Sequence, residues 1–346
     1  MPHKIAFIGF GTVGQGLVEV IRQQGPMLSS TLGFEARIVA VFTPRKGSLY
    51  HPDGLDAGQL LDVVHNSGTF AEYLDTPGLE RGWDALKIIR ESNADTIVEV
   101  SPTDIQTGQP AIDYCRAAFA SGKNVVTANK GPVALAYEEL SNLAKAKGVR
   151  FGIEGTVMSG TPALRLPLTS LAGADLIEIR GILNGTTNYI LTQMEAEQDY
   201  DTALAQAQQL GYAETDPTAD VEGFDVVAKI VILAKVLLGV PLTAADVSRQ
   251  GISRLTPADI AQAKAAGKRW KLIGRLKNEG SWVSASVAPA MVPLADPLAH
   301  VSGATNAITY FTKLLGEVTL VGAGAGAIET GYSLLIDLIN IDRSNI

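Results

Sequence analysis

Along the first half of the chain, short β-branched runs alternate with amphipathic stretches, the pattern of a parallel sheet joined by crossover helices. The pattern predicts strands over Lys4–Gly9, Ala36–Phe42, Thr96–Ser101, Asn124–Thr127 and Arg150–Glu154. Helices are predicted over Val13–Gln24, Pro110–Ser121 and Ala136–Lys147. Gly122 and Gly148 stand just past the last two, where a left-handed cap residue belongs. Between the first helix and the second strand, Pro26–Glu35 reads as a long link. Residues 1–150 thus read as an α/β domain of the Rossmann type, a doubly wound parallel sheet.

The second half changes character. Ile177–Leu183 and Val283–Val287 read as strands, and Tyr200–Leu210 as a helix ended by Gly211. From Glu214 to Asp225 there are five acidic residues in twelve, with Pro217 arguing against a helix there. That loop feeds Phe224–Leu238, where twelve of fifteen residues are apolar on all sides of a helix, so the helix should be buried. The divisions expected are 1–150, an α+β domain over 151–320, and a last segment over 321–346.

Composition narrows the class. The 346 residues are 46% hydrophobic, enough for packed cores at about 150 residues per domain. Lys plus Arg number 28 against 36 Asp plus Glu, a net charge of −8, which argues against a nucleic-acid partner needing a basic surface. Cys115 is the only cysteine and cannot form an intramolecular disulfide, which suits a reducing compartment. The N-terminus has no signal-peptide pattern, and the most apolar segment is interrupted by Asp225, Lys229 and Lys235, so neither secretion nor a membrane span is expected. A cytoplasmic protein is the reading.

Two places carry chemistry. The first is Gly9-Phe10-Gly11-Thr12-Val13-Gly14, a Gly-x-Gly-x-x-Gly turn between a strand and a helix. Gly9 makes the tight turn, Gly11 lets backbone approach a pyrophosphate, Gly14 allows close packing, and the helix N-terminus favours the anion. Which dinucleotide fits depends on the end of the second strand, where an acid would bond the ribose hydroxyls of NAD. Here the chain reads Thr43-Pro44-Arg45-Lys46, with no acid before Asp53 and two cations where a 2′-phosphate would lie. NADP(H) is therefore favoured over NAD(H), the alternative being that Arg45 and Lys46 form a plain solvated loop.

The second place is a set of lysines and acids where charge is expensive. Lys130 follows the strand Asn124–Thr127, at the strand end where open parallel sheets bind ligands, and Ser101 and Thr103 follow the neighbouring strand. Asp225 and Lys229 are four apart on the apolar helix and share a face. Either they are a buried ion pair with no catalytic role, or the lysine faces a polar site and can exchange a proton.

These segments together resemble homoserine dehydrogenases over nearly the whole chain. The match lies in Gly9–Gly14, Val125–Pro132 (VVTANKGP), Arg180–Leu191 (RGILNGTTNYIL), Leu210–Lys229 (LGYAETDPTADVEGFDVVAK) and Gly322–Gly326 (GAGAG). The two long middle segments are highly specific; the glycine turn is not. The resemblance implies NAD(P)-dependent interconversion of L-aspartate 4-semialdehyde and L-homoserine, on the way to threonine, methionine and isoleucine, by a homodimer.

Carried over by position, it implies Lys229 as proton donor to the aldehyde oxygen, Lys130 as a second lysine at the reacting oxygen and nicotinamide, and Asp225 as an orienting group. It implies Glu214 and Asp220 for the substrate ammonium, with Tyr212, Gly185 and Thr186 completing the pocket. Backbone of Asn184–Thr187 would help hold the carboxylate if Thr187 or Asn188 opens a helix. Gly326 would lie near the nicotinamide, the alternative being that GAGAG is a flexible turn before the last helix.

Relatives also bind a monovalent cation such as Na+, and the matching positions are Glu154, Val157, Ser159 and Thr161. There the chain departs from the family, reading Val157-Met158-Ser159-Gly160-Thr161 in place of a glycine-rich run. The resemblance is to the short form, without the C-terminal regulatory ACT-type domain of longer members. Two other readings share fewer features. Another Rossmann-class reductase of amino-acid derivatives would share the glycine turn and Lys130 but not the acids and Lys229 at these spacings. A non-enzymatic dinucleotide sensor has no use for two such lysines.

Overall fold

The computed structural model describes residues 1–280 and 282–343. Its chain divides into two compact units, one of 1–160 with the C-terminal segment from Gly326, the other of 161–325. The sequence pattern placed these limits near 150 and 320.

In the first unit the strands are β1 (His3–Ile8), β2 (Ala36–Thr43), β3 (Gly47–Tyr50), β4 (Glu80–Arg81), β5 (Thr96–Glu99), β6 (Asn124–Thr127) and β7 (Phe151–Gly152). The helices are α1 (Thr12–Leu32), α2 (Ala57–Ser67), α3 (Ala85–Glu91), α4 (Ala111–Ala120), α5 (Lys130–Ala146) and α6 (Gly155–Met158). The sheet runs β4-β3-β2-β1-β5-β6-β7, with β2, β1, β5, β6 and β7 parallel. Strand order reverses between β1 and β5, so their carboxyl ends frame the crevice where doubly wound sheets bind ligands.

The period of two in β1 decides both cores. Ile5 and Phe7 enter one apolar cluster with Leu17 and Val18 of α1, while Ala6 and Ile8 enter another with Phe119 and Leu140. Both faces are thereby covered, which is why the strand reads as an almost unbroken apolar run.

The link expected at Pro26–Glu35 is instead helix. Helix α1 continues through Pro26 to Leu32 and ends on Gly33, whose φ is 66°. Burying Leu28 in the core offsets the N–H that proline cannot donate. Helix α5 likewise starts earlier than its pattern, at Lys130, and is kinked at Ala136, where the sequence reading began it.

In the second unit the strands are β8 (Leu176–Ile182), β9 (Ser248–Arg249), β10 (Lys268–Asn278), β11 (Val283–Pro293), β12 (Thr305–Thr312) and β13 (Gly316–Ala323). Its helices are α7 (Gly185–Glu195), α8 (Tyr200–Gln209), α9 (Thr218–Val221), α10 (Phe224–Leu237) and α11 (Pro257–Ala265). The sheet runs β13-β12-β8-β10-β11-β9 and is antiparallel apart from the β11–β9 pair. Helix α10 packs on β10 at Gly274, where an added Cβ would come within 2.8 Å of Val226. Two local expectations change here: Pro217 caps the short helix α9 instead of preceding open loop, and β11 runs to Pro293 because it pairs with β10 along its whole length.

The last helix, α12 (Ala327–Arg343), returns to the first unit and lies against α1. The crossing is close enough to demand glycine: a Cβ on Gly16 would stand 2.0 Å from the Ala327 carbonyl oxygen, and one on Gly331 would stand 2.5 Å from Gly16. Gly16→Val should therefore destabilise the protein by about 1–3 kcal/mol through overpacking. Gly25→Ala, on the same helix, meets nothing within 4 Å apart from its chain neighbours, so its one penalty is a Cβ in helical conformation before Pro26, and it should cost less than Gly16→Val. Denaturant midpoints of the two variants check the contrast; equal effects would remove the close crossing as the cause.

Candidate active site

Each unit carries its own share of the candidate residues. In the first, β1 runs into Gly9, at φ 102°, where a Cβ would stand 2.2 Å from the Val100 carbonyl oxygen. The turn can pass this close to the end of β5 only without a side chain. Gly11 caps α1 with no side-chain hydrogen bond, and nothing lies within 4 Å of a Cβ built there. The N-terminus of α1 thus presents backbone amides to open space, which fits a pyrophosphate. The Phe10 ring is buried against Phe7 and Phe70, so Phe10 offers only backbone, whereas Thr12 is exposed and Val13 half-buried.

Arg45 and Lys46 sit on the hairpin turn between β2 and β3, with Arg45 exposed. Thr43 Oγ1 accepts from the Lys46 amide at 2.7 Å, which ties that turn to the strand end.

At the ends of β5 and β6 the structure holds a carboxyl that sequence reading missed. Glu99 is fully buried; its Oε1 accepts from the Ser101 amide at 3.0 Å and from the Ser101 hydroxyl. Thr127 Oγ1 lies 2.7 Å from the Glu99 carbonyl and 3.1 Å from Glu99 Oε2, and it accepts from the Asn129 amide at 2.9 Å. Asn129 in turn caps α5 by accepting from the Gly131 amide at 3.0 Å. Ser101 and the start of α5 are thus both tied to this cluster, while Thr103 is exposed. Burial pushes the Glu99 carboxyl up, and its hydrogen bonds to Ser101 oppose the shift.

The second unit gathers most of the polar candidates at the carboxyl end of β8. Asn184 caps α7, its Oδ1 accepting from the Thr187 amide at 2.9 Å. The helix therefore opens at Gly185, not at Thr187 or Asn188. Asn184 Nδ2 donates to Asp220 at 2.7 Å and lies 3.1 Å from Asp225 Oδ2, so one amide joins both acids. Thr186 Oγ1 lies 2.5 Å from the Tyr212 carbonyl and 3.2 Å from Asp220 Oδ2.

Lys229 is buried on α10, its Nζ 2.8 Å from Asp225 Oδ2 and donating to the Leu183 carbonyl at 2.6 Å. The shared helix face expected of Asp225 and Lys229 is present, and the helix around them is buried. Asp220 is raised above the ordinary aspartate range, first by burial and then by the Asp225 charge, while the Asn184 bond pulls it down.

Some candidates are not drawn into this network by their side chains. Glu214 is exposed, its backbone carbonyl accepting from Gln208 at 3.1 Å, and the Tyr212 ring is exposed beside Tyr189. Of the cation candidates, Glu154, Val157 and Ser159 lie buried in the first unit, and Thr161 is the first residue of the second. Ser159 has φ 51°, a backbone conformation that glycine adopts without strain and other residues rarely take. Among the described residues no group of three or more His, Cys, Asp and Glu is placed to hold a metal. Gly326, at φ 135°, begins the segment that returns to the first unit.

Comparison with known proteins gives one answer throughout. The family model for homoserine dehydrogenase matches residues 162–339, and the model for the homoserine dehydrogenase NAD-binding domain matches 9–154. An NAD(+)-dependent homoserine dehydrogenase from Pseudomonas canavaninivorans is 45% identical, over 99% of this chain and 97% of its own. Homoserine dehydrogenase from Methanocaldococcus jannaschii is 43% identical over 98% of each. Among solved structures, a putative homoserine dehydrogenase from Archaeoglobus fulgidus superposes with a TM-score of 0.88 at 35% identity, covering 99% of both chains. A hyperthermophilic archaeal homoserine dehydrogenase mutant in complex with NADPH has a TM-score of 0.84 at 30% identity, covering 99% of this chain and 98% of its own.

The network makes a prediction that does not depend on the reaction. Asn184→Ala removes a helix cap and the donor shared by two acids, and should cost about 1–3 kcal/mol. Asn184→Asp keeps the cap acceptor but sets a third carboxylate beside Asp220 and Asp225. If the donor matters, Asn184→Asp should be no more stable than Asn184→Ala near neutral pH in chemical denaturation. A stable Asn184→Asp protein would leave capping as the residue's whole contribution.

Proposed function

The chain belongs to the homoserine dehydrogenase family, NAD(P)-dependent oxidoreductases that act on a CH–OH group, and from that premise we propose that Lys229 and Lys130 handle the reacting oxygen. The observation that carries this is the Lys229 ammonium, buried with Asp225 Oδ2 at 2.8 Å and the Leu183 carbonyl at 2.6 Å. An ammonium has three protons to donate. Two directions are taken, and the third is the one the substrate oxygen receives.

In the reducing direction, L-aspartate 4-semialdehyde becomes L-homoserine. The nicotinamide dinucleotide, when bound, supplies the hydride. Lys229 stabilises the charge developing on the aldehyde oxygen and then gives it a proton, and Asp225 holds the ammonium in place. Lys130, at the start of α5, is the second cation at that oxygen. Asp220 and Glu214 attract the substrate ammonium, Asp220 from the Asn184–Thr186 network and Glu214 from its exposed loop. Tyr212, Gly185 and Thr186 complete the pocket, and the N-terminus of α7 receives the carboxylate.

The glycine turn with α1 holds the pyrophosphate, and Ser101, Thr103 and Gly326 serve the nicotinamide side. NADP(H) is the favoured cofactor because the end of β2 carries Arg45 and Lys46 and no acid. We further propose a homodimer working in the cytoplasm, with a monovalent cation bound by the Glu154 carboxylate and the backbone carbonyls of Val157, Ser159 and Thr161. In support of association, β13 is an edge strand, and Leu314, Leu315 and Val321 in and beside it are exposed. No described helix is long and apolar enough to cross a membrane.

Purified protein given aspartate semialdehyde should oxidise NADPH faster than NADH; the reverse order would reject the Arg45 and Lys46 argument and leave the enzyme class standing. Lys229→Ala should lower kcat by orders of magnitude with cofactor affinity retained, and a near-normal kcat would move the acid elsewhere. Because Asp220 titrates above the usual aspartate range, KM for homoserine should rise as pH falls through that raised value and Asp220 becomes neutral. Asp220→Asn should have a high KM already at neutral pH and lose this acid limb.

A further inference from the structure

One side chain near the α7 N-terminus has no structural account. Asn306 on β12 is fully buried, and neither its Nδ2 nor its Oδ1 has a hydrogen-bond partner. A buried donor and acceptor left unpaired each lose their hydration with nothing in return, so such a residue is rare unless something else meets it.

Its position says what that is. The antiparallel register that sets Ala307 opposite Ile182 places Asn306 one step further on, across from Leu183, whose carbonyl holds the Lys229 ammonium. On the same side stands the first residue of α7: a Cβ added to Gly185 would lie 3.5 Å from Asn306 Oδ1. The amide is covered by Gly324, where a Cβ would stand 2.0 Å from Nδ2. The surrounding run Gly322-Ala323-Gly324-Ala325 carries no side chain larger than methyl. An eleven-residue helix N-terminus, a buried unpartnered amide beside it and a proposed catalytic lysine one strand away therefore converge on one strand end.

We propose that Asn306 is a specificity-determining contact for the amino-acid head group of the substrate, its carboxamide, which no hydrogen bond holds in one orientation, turning Nδ2 from the Gly324 side to donate to the α-carboxylate that the α7 N-terminus attracts. This rests on the substrate reading above and adds a residue to it. A carboxamide presents a donor and an acceptor side by side, the pair that a carboxylate next to an ammonium satisfies together. Entry of the head group displaces the Gly324–Ala325 backbone, just past the end of β13, from over the amide, and that backbone has no bulky side chain to move.

The test compares L-homoserine with its neutral amide, L-homoserine amide, in wild-type protein, Asn306→Ala and Asn306→Asp. KM is measured for homoserine oxidation and Ki for the amide as a competitive inhibitor. A charge-assisted hydrogen bond is worth about one to two powers of ten in affinity, so Asn306→Ala should raise KM at least about tenfold. Asn306→Asp, which sets a carboxylate against a carboxylate, should raise KM further while Ki for the amide changes by less than about threefold. Cofactor affinity should stay at its wild-type value in both variants.

KM within about twofold of wild type, or equal losses for homoserine and its amide, would overturn the proposal, the second result marking Asn306 as structural only. Asn306→Asp is nearly isosteric and keeps the experiment decisive if Asn306→Ala folds poorly. Failure of wild-type protein to oxidise homoserine would reject the substrate reading itself, a separate result from a variant that matches wild type.

Discussion

A positive charge buried among apolar side chains has to be compensated, and the second unit is arranged around that requirement at Lys229. Ten residues of α10 are buried, so the ammonium at its second turn would be costly without the Asp225 carboxylate and the Leu183 carbonyl. Each compensating group must then be held in turn. Leu183 is held because β8 pairs with β10 and β12 just before it, and Asp225 because the Asn184 amide reaches it from the cap of α7. The same amide binds Asp220, which sits in reach of Thr186. One charge pair thus ties together a helix start, a strand end and the acidic segment before α10. Removing one partner from such a pair leaves an uncompensated charge, which is why proposed acid and orienting aspartate are best regarded as one unit.

The first unit answers a different constraint, the close approach of backbone to backbone at the ends of parallel strands. Gly9 passes within contact of Val100, and the residue that follows, Ser101, is fastened to Glu99. Through Thr127 and Asn129 the same carboxyl reaches the start of α5, where Lys130 stands. The proposed nicotinamide-side serine and the helix start that carries the proposed second lysine therefore share one hydrogen-bonded foundation, which the glycine turn meets by close approach. Its centre is a carboxyl that is buried and hydrogen-bonded, so its charge, where present, is stabilised by dipoles of fixed orientation.

Much of this was legible in the residues. The glycine turn, the strand β6 and the Asp225–Lys229 face could be read because each rests on local periodicity or on backbone conformations that few residues tolerate. The family resemblance in NGTTN and in the acidic segment added the reaction. Elsewhere packing overrides local preference: Pro26 sits inside α1 because burying Leu28 outweighs a missing hydrogen bond, and α7 opens at Gly185, two residues before Thr187, because Asn184 is its cap. An Asn three residues before a threonine amide is a capping signal, and it was available in the sequence. Glu99 and Asn306 left no such signal, since a single polar residue in a strand looks the same whether it faces water or the interior.

By itself the amino-acid sequence determined the five parallel strands of the first unit and three of its helices, the dinucleotide turn and, through long specific motifs, membership of an oxidoreductase family. These depend on neighbours in the chain, where period and residue type are visible. Only the tertiary structure decided which polar groups are paired. Asn184 meets Asp220 and Asp225 across more than thirty intervening residues, Glu99 meets Thr127 across a crossover, and the Asn306 carboxamide has no hydrogen-bond partner. Hydrogen-bond satisfaction is a property of what the fold brings within about 3 Å, and no spacing along a chain contains it.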